Sequence, residues 1–263
     1  QALRYVSDYS GEKGERREMK IIVTKDYEEM SKRAADVIFA QVLMKEDSVL
    51  GLATGSSPEG LYKCLVKRYE KGRIDFSGVT TINLDEYQGL SHDNEQSYWY
   101  FMNKHFHSHV NVKPENIHVP DGSNMDARKA CREYDEIIEK AGGIDLQLLG
   151  LGPDGHIGFN EPADSFAAGT HCVKLEESTI EANKRFFNSK DEVPRKAYTM
   201  GVGTIMKAKK VLMVVSGKGK AGIVKESFFG PVKPQVPASI LQMHPDFTLV
   251  LDEDAAKEIK DLI

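Results

Sequence analysis

The run Asp154-Gly155-His156-Ile157-Gly158-Phe159-Asn160-Glu161-Pro162 puts an aspartate, a histidine and a glutamate in one glycine-containing loop. A carboxylate beside an imidazole fixes its tautomer and raises its basicity, as a general base near neutrality requires. Asp85 supplies a further carboxylate from the end of a separate strand-like run. Several acids and one histidine, without a nucleophile paired to a base, point to proton abstraction next to a carbonyl. Asp85, Asp154, His156 and Glu161 are the candidates for that chemistry.

Two other clusters suit an anion better. In Thr54-Gly55-Ser56-Ser57, small residues precede a helix opening near Pro58. A phosphate could approach backbone N–H groups there, at the positive end of the helix dipole. A plain N-cap turn would use the same residues. In Ser216-Gly217-Lys218-Gly219-Lys220, Lys220 is a second phosphate candidate, with a solvated loop lysine as the ordinary alternative.

Three tempting motifs fail on context. Gly150-Leu151-Gly152-Pro153-Asp154-Gly155 has the glycine spacing of a dinucleotide site, but no helix opening and no acidic ribose ligand follow. Gly217-Lys218-Gly219-Lys220 lacks the spacing and hydroxyl of a Walker A loop. His105 and His109 would share a helical face, yet no third ligand at metal spacing joins them. No metal and no cofactor are expected.

Strand-like and helix-like runs alternate from Met19 onward. Strands are predicted at 20–24, 48–53, 79–84, 117–119, 144–149, 210–215 and 247–251. Helices are predicted from the Asp26/Glu29 capping box, from Pro58, from about Ser97, over 126–140, over 220–228, and from Glu253 to the end. On the first helix, Met30, Ala34, Val37 and Ile38 share one face. Such alternation predicts a single-domain α/β fold, a mainly parallel sheet with helices on both faces, over residues 19–263. The polar stretch 1–18 reads as an added or weakly ordered extension. Four polar clusters follow directly on strands, so they should converge beyond the strands' carboxyl ends. The region 155–200 fits the alternation poorly and should hold functional loops or a lid.

Composition narrows the class further. A net charge of −5 argues against a nucleic-acid face, though not against an anionic small-molecule substrate. The three cysteines are far apart and form no C-x-x-C pair, which fits a reduced cytoplasm. No apolar run approaches the roughly 18 residues of a membrane span.

The chain resembles the glucosamine-6-phosphate deaminase family, within the group that also holds 6-phosphogluconolactonase. The resemblance covers about 19–254. It rests on Gly51 to Pro58, Asn83-Leu84-Asp85-Glu86-Tyr87, Gly150 to Pro162, Lys184-Arg185-Phe186-Phe187 and Gly201-Val202-Gly203-Thr204. It implies conversion of glucosamine 6-phosphate and water to fructose 6-phosphate and ammonia, a reaction ending in imine hydrolysis and so placed among the hydrolases. It also implies that His156 opens the sugar ring with help from Asp154 and Glu161, and that Asp85 takes the C2 proton. Phosphate binding would fall to Gly55, Ser56, Ser57, Arg185 and Lys220, under a lid at about 175–198. Effector-activated members carry basic residues at positions matching His171 and Val173, so activation is not expected here. Lys174 should point to the opposite face. A monomer or small homo-oligomer is expected.

Two rivals remain. A 6-phosphogluconolactonase would carry a stretch ending in S-L-F-P where this chain ends in Glu161-Pro162. A non-catalytic sugar-phosphate sensor would need a DNA-binding unit and a basic face, neither of which is seen.

Overall fold

The computed structural model describes residues 3–7, 18–175, 180–181, 189 and 192–263. Arg185 and most of 175–198, the expected lid, lie outside the described residues.

In chain order the elements are β1 (Leu3–Ser7), β2 (Glu18–Thr24), α1 (Tyr27–Met44), β3 (Val49–Leu52), α2 (Ser56–Glu70), β4 (Thr80–Asn83), β5 (Asp85–Tyr87) and α3 (Tyr98–His105). There follow β6 (Ile117–His118), α4 (Ala127–Lys140), β7 (Leu146–Leu149), β8 (His171–Lys174), β9 (Lys196–Thr199), β10 (Lys210–Val215) and β11 (Phe247–Asp252). Short helices Val202–Met206 and Ala221–Phe229 precede and follow β10. The main sheet runs β1-β2-β11-β10-β7-β3-β4-β6. Every pairing from β2 to β6 is parallel, and β1 joins β2 antiparallel at the edge. That edge strand lies inside the polar stretch read above as an extension.

Strands β3, β7 and β11 are buried at every position, and β10 at all but its first. Successive side chains on a strand point to opposite faces, so both faces of the sheet centre are covered, as the apolar runs require. Helix α1 begins as predicted: the Asp26 carboxylate accepts from Glu29 N at 2.9 Å, and Glu29 reaches back to Lys25 N. Met30, Ala34 and Ile38 are buried on its inner face; Val37 is only partly covered.

Two elements differ from expectation. Glu253 to the end forms consecutive turns rather than a helix. The Asp252 carboxylate takes Ala255 N, and bonds such as Ile259 N to Ala256 O close one turn each. Ala255, Ala256 and Ile259 still reach the core, so the apolar spacing was right and the hydrogen-bond period was not. Two strands within 155–200, β8 and β9, join β5 in a second, antiparallel sheet, β5-β9-β8. Its first strand follows β4 after a single residue, Leu84, and consists of two acids and a tyrosine, one of the four polar clusters read beyond the strand ends.

Candidate active site

The four polar clusters follow β3, β4, β7 and β10, which are neighbours in the sheet order β10-β7-β3-β4. The chain runs outward from β3 through β4 to β6, then returns to lay β7 on the other side of β3. This reversal opens a crevice beyond the carboxyl ends of β3 and β7, where open α/β sheets bind ligands.

The loop after β7 holds the histidine. His156 Nδ1 lies 2.7 Å from Asp154 Oδ1, which also accepts His156 N at 3.1 Å. With Nδ1–H given to the carboxylate, Nε2 is left as an acceptor. The imidazole packs flat on Gly152: a Cβ there would fall 2.3 Å from its Nδ1 and Cε1. Only glycine permits that approach.

Asp85 comes to the same loop from β5, and is 6% exposed. A Cβ on Gly158 would lie 3.5 Å from Asp85 Oδ2 and 2.8 Å from Thr199 Oγ1, so the glycine lets the loop close over the carboxylate. Thr199, paired with Asp85 across β5 and β9, accepts Phe159 N at 3.1 Å. The buried Asn160 amide donates to Ile157 O and Met200 O, tying the loop to the end of β9. Burial first, and then the Glu86 charge, push Asp85 up to about 8.

Glu86 escaped the sequence reading. It is fully buried and accepts from Tyr87 N, Tyr98 N and Trp99 N at 2.8–3.0 Å. Burial pushes it up to about 7 against the pull of those three donors. The signal was the acid pair Asp85-Glu86 followed eleven residues later by the helix cap Ser97, whose hydroxyl accepts Tyr100 N.

At the phosphate end, Lys220 Nζ donates to Leu151 O at 2.6 Å, which joins the β10 cluster to the β7 loop. Burial holds the Lys220 amine below the usual lysine range, with Asp154 acting in the opposite sense. Asp252 anchors this turn by accepting from Ser216 Oγ and from Gly217 N. Gly55, Ser56 and Ser57 open α2, which has no side-chain cap, so its first N–H groups face outward at the crevice. Glu161 lines a cavity of about 210 Å³ with Phe166, His171, Val173 and Lys174. Lys174, the exposed last residue of β8, borders the same cavity at the end of the strand. Among the described residues, no group of three or more His, Cys, Asp or Glu could hold a metal ion.

A parallel sheet whose strand ends carry a carboxylate-oriented histidine, a buried acid and a half-buried lysine defines a site for proton transfer on a small anionic substrate. Residues 25–250 match the model of the glucosamine-6-phosphate isomerase/6-phosphogluconolactonase family, and the chain belongs to that family. It is 56% identical over 243 residues to a glucosamine-6-phosphate deaminase of Thermoanaerobacter pseudethanolicus, covering 92% of this chain and 96% of the relative. With the Clostridium perfringens glucosamine-6-phosphate deaminase it shares 54% over 242 residues, 92% of this chain and all of that one. A solved structure described as a monomeric glucosamine-6-phosphate deaminase superimposes with a TM-score of 0.87 at 44% identity, over 91% of this chain and 100% of that one. The 6-phosphogluconolactonase of Leishmania guyanensis, at 22% identity and a TM-score of 0.71 over 91% of this chain and 98% of that one, shares the fold. These relatives are named deaminases and the family description opens on isomerases, which overturns the hydrolase class expected above. A site of proton-transfer groups without an activated nucleophile suits that correction.

Proposed function

We propose that the protein converts glucosamine 6-phosphate and water to fructose 6-phosphate and ammonia. His156 Nε2 accepts the anomeric hydroxyl proton and opens the ring, its other nitrogen held by Asp154, with Glu161 assisting from the far end of the loop. The open-chain aldehyde acidifies the C2 proton, which Asp85 removes. Return of a proton to C1 gives the fructose imine, and water releases ammonia from it. The phosphate sits between Lys220 and the N–H groups of Gly55, Ser56 and Ser57. Arg185 belongs to this set by family resemblance alone.

One observation carries the reading: a buried acid, pushed up to about 8, meets at Gly158 the same loop that carries the carboxylate-oriented His156. A carboxylate with that proton affinity is a competent base for a carbon acid. The lactonase reading has less support, since the lactonase named above is only 22% identical. We assign the activity to residues 19–263 and to the cytoplasm, on the family match over 25–250 and three free cysteines. No helix among the described residues is long and apolar enough to cross a membrane. A monomer is the favoured state, from the 44% identity to a structure described as monomeric.

The test is ammonia release from glucosamine 6-phosphate, with galactosamine 6-phosphate and 6-phosphogluconolactone as controls. No ammonia from either amino sugar removes the deaminase reading.

A further inference from the structure

Glu86 is fully buried, yet the mechanism above gives it no part. Its side chain crosses from β5 to the first turn of α3, where Tyr98 N and Trp99 N donate to it. Three N–H donors and a helix N-terminus favour its ionised form, so of the two adjacent acids it loses its proton first. The remaining negative charge then stands one residue from Asp85 on the same three-residue strand, in a region closed to water. There the repulsion between two carboxylates is far stronger than at the surface.

Among the described residues, the groups packed round Asp85 on other elements add no compensating cation. Tyr98 of α3 and Tyr134 of α4 feel the Asp85 charge, and both phenols are held well above their usual range by burial. From β9 comes Thr199, and from the loop after β7 come Gly158 and Phe159, all uncharged. Tyr87, on Asp85's own strand, makes tilted ring contacts with Tyr98 and Phe159.

From this arrangement we propose that Glu86 is a positioning residue for the deamination: it bolts β5 to α3 and holds a fixed negative charge beside Asp85, which makes Asp85 a stronger base. The inference rests on the reading of Asp85 as the C2 base. The two separate experimentally, because ammonia release by the unaltered protein tests the reaction and the titration of Asp85 tests the coupling.

The experiment is the pH profile of kcat/KM for ammonia release in the unaltered protein, Glu86→Gln and Glu86→Asp. The Gln variant keeps a carbonyl for the α3 donors but loses the charge. Its acid limb should move down by about one pH unit, since a like charge no longer opposes ionisation of Asp85. Glu86→Asp restores the charge and should return the limb toward its original place. If Glu86 only caps α3, the Gln variant melts earlier with an unmoved acid limb, and the proposal is overturned. Should the Gln variant not fold, carboxyl-carbon NMR of the unaltered protein decides. The Asp85 and Glu86 carboxyls must then titrate as a coupled pair, the Asp85 resonance shifting in two steps as each acid ionises, and independent single-step titrations reject the proposal.

Discussion

Asp85 and Asp154 reach the same crevice from opposite surroundings. Asp85 stands on a short strand, 6% exposed, under Gly158 and beside a second buried acid. Asp154 sits on a loop with its side chain 46% exposed, next to a histidine that is 32% exposed. The first environment denies a carboxylate its charge until a proton is forced off; the second leaves its partner free to exchange protons with water. Two acids of one type are thereby fitted to two tasks, carbon-acid abstraction in the dry part and ring opening at the wet edge.

The largest break in this comparison is Asp85→Asn. It should lower turnover at least about a hundredfold while substrate binding survives, as loss of a general base does. Exchange of the C2 proton with solvent is the direct measurement, and near-normal exchange would dismiss Asp85 as the base. Gly152→Ala attacks the other region without touching a titrating group. The φ of Gly152 is not positive, so the backbone accepts alanine. The new Cβ nevertheless displaces the imidazole, which should cost about ten- to a hundredfold in kcat, as misplacement by an ångström does. Unchanged kcat would mean that the orientation of His156 is irrelevant.

How far the sequence revealed these two regions follows from their physics. The parallel strands were legible because β3, β7, β10 and β11 are apolar at nearly every position and end in glycine- or polar-rich turns. The Asp154–His156 pair was legible because its members lie two residues apart. The burial of Asp85 was not. It depends on β9, which begins more than a hundred residues later and pairs Asp85-Glu86-Tyr87 into a strand of their own. Glu86 went unseen for the same reason, since two of its three partners are on α3.

Lys220→Ala probes the boundary between the regions, where the amine bonds to Leu151 O at the root of the histidine loop. Loss of one charge-assisted contact to phosphate amounts to about 1.5–3 kcal/mol. KM should rise tenfold or more with a smaller fall in kcat. An unchanged KM would put the phosphate elsewhere.

The smallest effect is on stability, and it separates the two acids without substrate. Burial and Glu86 push folded Asp85 up to about 8, whereas an unfolded aspartate titrates at about 3.9. Between those values the folded protein keeps a proton that the unfolded chain has released. Stability contributed by this group is therefore full below about pH 4 and falls as pH rises toward 8. Glu86, pushed up to about 7, adds a loss of the same sign. Asp85→Asn cannot ionise, so it should lose less Tm than the unaltered protein between pH 5 and pH 8. The gap should reach several degrees at pH 8, at about 2–4 °C per kcal/mol for a chain of this size. Asp154→Asn removes a half-exposed charge and should keep the unaltered protein's slope. Parallel melting curves for the unaltered protein and Asp85→Asn would mean that Asp85 is solvated in the resting protein, and the contrast between a dry base and a wet one would be lost.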